Sequence, residues 1–74
     1  MCNYCQPLEN SREREKLEYV GTRIVEYHER HYYRCVHCDQ AFYWLDWCPP
    51  FFHHLESLTI SGTELIKVLE QEPG

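Results

Sequence analysis

Four of the five cysteines in this 74-residue chain fall into two Cys-x2-Cys pairs, Cys2-Asn-Tyr-Cys5 and Cys35-Val-His-Cys38. With two residues between them, a tight turn aims both thiolates at one point about 2.3 Å from a metal ion. Two such pairs together complete a tetrahedral site with four sulfur ligands. The length makes this matter, because a single apolar core below about 70–80 residues rarely supplies more than a few kcal/mol. A chain of this size draws its missing stability from a metal, from disulfides or from a partner subunit.

The disulfide alternative is weighed on composition and compartment. Five is an odd number of cysteines, and the sequence carries no basic-then-apolar leader of the kind that directs export to an oxidising compartment. The chain therefore reads as a cytoplasmic metal-binding domain, with Cys2, Cys5, Cys35 and Cys38 as ligands. Four thiolates suit iron as well as zinc. Iron knuckles of the rubredoxin type usually carry Gly after the second Cys, where this chain has Gln6 and Asp39, so one Zn²⁺ is expected. Four protein ligands leave no open coordination position, which makes the expected zinc structural. Its contribution to folding is on the order of 10 kcal/mol in apparent terms. Cys48, between Trp47 and Pro49-Pro50, reads as a small buried apolar residue, with a replacement ligand or reactive thiol as the alternative.

Along the chain, Asn10 followed by Glu13 fits an N-cap and its reciprocal partner, so a short helix is expected near 11–20, ended by Gly21. Leu17, Val20, Ile24, Tyr27 and His31 recur at helical spacing and would extend that helix through Gly21. The β-branched and aromatic residues of the same stretch instead favour a hairpin, with strands near 22–28 and 31–35 turning at Glu29-Arg30. A third strand is expected over Ala41–Trp47, ended by the Pro-Pro turn. An irregular segment follows, with a short strand at Ser57–Ile60. Ser61-Gly-Thr-Glu64 is a capping box that launches a C-terminal helix carrying Leu65, Ile66, Val68 and Leu69. No repeat, linker or apolar run of membrane-spanning length is present. The expected organisation is one small zinc-stabilised α+β domain over residues 1–74.

Knuckle, hairpin, second knuckle and third strand is a plan that resembles the zinc ribbon. The resemblance covers about residues 1–47 and rests on Cys2, Cys5, Cys35 and Cys38, with Tyr32-Tyr33-Arg34 leading into the second knuckle. The 29 residues between Cys5 and Cys35 exceed the usual spacing of about 15–20, and the charged segment 7–21 accounts for the excess as an insertion. A treble-clef variant, with a helix starting at the second knuckle, is the alternative. Residues 48–74 form the part outside the resemblance, which implies a metal site and a fold but no particular function.

Enzymatic signatures are missing from the sequence. His28-Glu-Arg-His31 has its second His one residue too early for a His-Glu-x-x-His zinc motif, and no Gly-rich phosphate loop is present. His53-His54-x-Glu56 reads as ordinary surface or half-buried histidine. Charge then bears on the partner. Residues 1–40 carry six basic and seven acidic side chains, residues 41–74 one and five, and the net formal charge is −5. Phosphate binding draws on clustered Lys and Arg. Here only Arg23, Arg30 and Arg34 would share a hairpin face, with Glu26 and Glu29 among them. A basic protein suits the acidic, aromatic-rich surface better, with Trp44, Trp47, Phe51 and Phe52 as anchors beside Asp46 and Glu56. The expected function is a non-catalytic protein-binding module, of the inhibitor or immunity type, that neutralises a basic toxin or nuclease. The alternatives are a nucleic-acid-binding zinc ribbon serving transcription or RNA processing, and a homodimer paired through unburied aromatic strands.

Overall fold

A computed structural model of the chain describes residues 2–26, 28–45 and 54–71. Four antiparallel strands form one sheet in the sequential order β1-β2-β3-β4: β1 (Glu18–Val25), β2 (His28–Arg34), β3 (Gln40–Leu45) and β4 (His54–Ser61). A single α-helix, α1 (Gly62–Gln71), follows directly from β4. Every strand pairs with its neighbour in sequence, so the sheet needs no crossover connection. Among the described residues no helix is long and apolar enough to cross a membrane.

The helix expected near 11–20 is replaced by a 3₁₀ turn at Arg14–Lys16 and then by β1. The reason lies in the side chains. In a helix over 11–20 only Leu17 and Val20 could form an apolar face, too narrow a stripe to hold it on a core. The presumed cap residue is also used otherwise. Asn10 takes a left-handed φ of 64°, and its N–H donates to Leu55 O at 2.7 Å. Ser11 Oγ accepts the Glu13 N–H at 3.2 Å, which turns the chain without starting an α-helix.

The stretch 18–34 is a hairpin and not one long helix, but its turn sits three residues earlier than Glu29-Arg30. Val25 pairs with His28, and Glu26 adopts a φ of 49°. Two-residue hairpin loops need positive φ, and Asn or Gly usually marks them. Glu26-Tyr27 carries no such mark. A bulge between Tyr19 and Gly21 shifts the β1 register, so Tyr19, Thr22 and Ile24 share one face.

Register sorts the sheet into two faces. Tyr33 pairs with Phe42, and His31 with Trp44, which pairs with Leu55; these residues share a face. The N-terminal segment covers it, so that Cys5, Leu8, Leu17, Tyr33, Cys35, Phe42, Trp44 and Leu55 form the buried cluster. Gly21, Arg23, Arg30, Tyr43 and Glu56 lie on the opposite face. There α1 crosses close to β1, where a Cβ added at Gly21 would stand 3.4 Å from Leu69 Cδ1.

Candidate metal centre

Each knuckle is held by its own backbone. Gln6 N–H donates to Cys2 O at 3.0 Å and Asp39 N–H to Cys35 O at 2.9 Å, so both Cys-x2-Cys segments close as turns. The first runs into a 3₁₀ turn at Gln6–Leu8 that drives Leu8 into the core. The second is locked between β2 and β3 by the Cys35 N–H bond to Gln40 O at 2.9 Å. Hairpin β2–β3 therefore carries one pair of thiols. The packing of Leu8 and Leu17 against Phe42 and Leu55 brings the other pair to meet it.

The four Sγ atoms lie within 4.8 Å of one another. Cys2–Cys5 is 3.8 Å, Cys2–Cys35 is 3.7 Å and Cys5–Cys38 is 3.4 Å. A tetrahedron with metal–sulfur bonds of about 2.3 Å has edges of about 3.8 Å. The four cysteines are thus positioned to bind a metal ion. Their exposure is graded: Cys5 and Cys35 are fully buried, Cys2 is half-buried and Cys38 is exposed. Burial and the neighbouring Cys38 thiol push Cys5 up to about 12, and burial likewise raises Cys35. Backbone hydrogen bonding at Cys5 draws Cys2 down to about 6 against the effect of its burial. A bound cation would favour the thiolate form of all four against this burial. The His37 N–H donates to Cys35 Sγ at 3.4 Å, a contact that steadies the ligand sulfur.

Asp39, noted in the sequence only as the residue that stands where an iron knuckle usually has glycine, has a larger part in the structure. It takes a left-handed φ of 62°, the conformation for which glycine is usual after a knuckle. The missing glycine therefore does not separate zinc from iron. The carboxylate of Asp39 accepts the Thr63 N–H at 3.0 Å and the Thr63 hydroxyl at 2.7 Å, capping α1 from outside the helix. Its carbonyl accepts the Gly62 N–H. These bonds from Thr63, together with Arg34 at 3.1 Å, hold the Asp39 carboxyl below its usual range. Ser61 Oγ accepts the Glu64 N–H at 3.1 Å, as the capping box expects.

The residues expected to contact a partner are not gathered in one patch. Trp44 is 8% exposed, within the buried cluster, and the Arg14 guanidinium lies 4.6 Å from its ring centroid. Glu56 is on the opposite face, where the Tyr43 hydroxyl donates to it at 2.6 Å and His54 Nε2 lies 3.1 Å away. Asp46, Trp47, Phe51 and Phe52, like Cys48 and His53, lie outside the described residues. Among the described residues, five Lys and Arg side chains have a partner. Lys16 pairs with Glu13, Arg34 with Glu18 and Asp39, Arg14 with Trp44, Arg30 with the Tyr43 ring and Arg23 with Leu69 O. Comparison with protein-family models, curated proteins and solved structures gives no match to this chain.

Proposed function

We propose that Cys2, Cys5, Cys35 and Cys38 hold one structural zinc ion in a zinc-ribbon-like domain, and that this domain is a non-catalytic module binding a basic protein. The observation that carries the metal reading is the convergence of four thiols with edges near those of a tetrahedral site, and zinc is our choice among the ions that four thiolates suit. Four protein ligands saturate such a site, so the metal would contribute folding and not chemistry. The acidic balance supports the choice of partner, since the net charge is −5 and most of the cations are already engaged within the chain. A cytoplasmic inhibitor or immunity-type protein that neutralises a basic toxin or nuclease fits this surface. Affinity capture from the native host tests it: one cationic protein is expected with wild type and is expected to be lost with Asp46→Lys/Glu56→Lys. Equal capture by both proteins would contradict the assignment of those contacts.

One observation favours a second reading, a nucleic-acid-binding ribbon. Arg23 and Arg30 stand directly opposite each other on β1 and β2, with Tyr32 and Tyr43 on the same face and Glu29 on the other. Like charges facing across strands repel; within the chain Arg23 donates to Leu69 O and Arg30 stands over the Tyr43 ring, and a phosphate would add an opposite charge between them. Titration with single- and double-stranded oligonucleotides at low salt separates the readings. Micromolar affinity that falls steeply with salt and with Arg23→Ala/Arg30→Ala would favour nucleic acid.

A further inference from the structure

The two terminal strands of the sheet are in opposite conditions. On β4 the outer edge is closed by the chain itself. Asn10 N–H donates to Leu55 O at 2.7 Å, Leu55 N–H donates to Ser11 O at 2.8 Å, and Ser57 N–H donates to the Glu9 carboxylate at 2.9 Å. On the other side β1 ends the sheet, and among the described residues no further strand pairs with it. A terminal strand directs alternate N–H and C=O groups outward, and only an extended polypeptide satisfies that row in register.

Beside this open edge lies a cavity of about 230 Å³, lined by residues 20–23 of β1 together with Ile66, Leu69 and Glu70 of α1. The cavity lies where α1 crosses the face of this terminal strand at Gly21, which has no side chain to fill it. At about 30 Å³ per water its volume equals roughly seven waters, room for one or two aliphatic side chains. On the other face of β1 the edge is flanked by Tyr19 and Ile24, which are 57% and 76% exposed. Glu26 and Glu70 are exposed around the edge and the cavity, while the carboxylate of Glu18 is taken by Arg34. Arg23, the cation of the cavity lining, donates to Leu69 O.

From this geometry we infer that the β1 edge and the β1–α1 cavity form a strand-addition groove for an extended, basic segment of a protein partner. The segment's backbone pairs with β1, an aliphatic side chain enters between Ile66 and Leu69, and the alternate side chains cover Tyr19 and Ile24. Its Lys or Arg residues face Glu26 and Glu70. This inference rests on the protein-binding reading above and locates its contact surface.

The test uses the full metal-loaded chain and the peptide acetyl-Lys-Val-Thr-Leu-Thr-Val-Lys-amide, followed by amide NMR. Shifts are expected at residues 18–25 and 66–70, with new exchange protection on alternate β1 amides. N-methylation of one alternate set of peptide residues should abolish binding, while methylation of the other set leaves it within about twofold. Glu70→Lys should weaken binding at least fivefold, and so should Glu in place of both peptide Lys residues. Absence of binding, shifts elsewhere on the sheet, or equal binding of the Glu peptide would overturn the groove. So would β1 protection that rises with protein concentration without peptide, which would assign the edge to a second copy. Ile24→Lys, at an exposed position, separates the two levels of the argument in capture from the host. A cationic partner captured equally by Ile24→Lys and wild type overturns the groove and leaves the protein-binding reading standing. A partner captured by neither protein overturns that reading itself.

Discussion

On one face of the sheet, Tyr33, Phe42, Trp44 and Leu55 are buried beneath the N-terminal segment and adjoin the cysteine cluster. On the other, Arg30, Tyr43 and Glu56 make a half-buried polar row beside a single ten-residue helix. The covering elements differ in kind. Residues 2–17 contain only short 3₁₀ turns and cannot hold their place by helical hydrogen bonding, so their attachment falls to Leu8, Leu17, the cysteine cluster and the bonds of residues 9–11 to Leu55 and Ser57 on β4. The helix on the opposite face has its own ladder, a capping serine and the Asp39 clamp. Stability is therefore concentrated on the cysteine face, and substitutions on the two faces should differ in size.

The largest effect belongs to the ligands. Cys35→Ser should abolish metal binding and cooperative folding, since such sites contribute on the order of 10 kcal/mol in apparent terms, read by circular dichroism and metal content. Phe42→Ala comes next. Phe42 is fully buried in the cluster, and its removal should cost about 3–5 kcal/mol in denaturant unfolding. A comparable loss from Tyr43→Ala would break the contrast between the faces. Gly62→Ala tests the junction of knuckle and helix. The new Cβ would meet Asp39 Oδ1 at 2.5 Å and Arg34 Cβ at 2.7 Å, so a cost of about 1–3 kcal/mol is expected despite alanine's better helix propensity. Ser61→Ala should cost about 1 kcal/mol through the lost cap.

The smallest effect is a pH dependence of the polar row. The Tyr43 hydrogen bond, followed by His54, holds the Glu56 carboxyl below its ordinary range, so this contribution is present above that range and fades as acid protonates the folded carboxylate. The Tyr43 phenol is pushed up to about 12, first by the bond to Glu56 and then by burial. Its contribution is full below pH 10 and is lost as the pH rises from about 10 to 12. Glu56→Gln should flatten both limbs of the stability profile, and an unchanged profile would remove the pair from the account.

The clustering of the four cysteines was legible because metal binding depends on a two-residue spacing that survives any uncertainty in secondary structure. The C-terminal helix was legible for a similar reason, since Ser61 and Glu64 sit at a fixed offset ahead of Leu65 and Ile66. Residues 10–26 misled because their signals conflict. Asn10 and Glu13 imitate a cap, and Leu17, Val20 and Ile24 imitate a helical stripe, whereas the N–H of Asn10 and the carbonyl of Ser11 are taken by Leu55, 44 residues away in the chain. No local pattern encodes that pairing. Trp44 was read as a partner anchor because aromatic strand residues look alike in sequence, while register places it beside Tyr33 and Leu55 in the core. The part played by Asp39 was missed because it depends on how close a knuckle and a helix come in space.

The central claim is that one zinc ion at Cys2, Cys5, Cys35 and Cys38 holds the N-terminal segment on the sheet. Native mass measurement combined with thermal unfolding, before and after treatment with a strong chelator, tests it most directly. The account predicts a mass exceeding the polypeptide by one zinc and a cooperative melt that disappears when the metal is removed. A metal-free chain that melts cooperatively at the same temperature would contradict it.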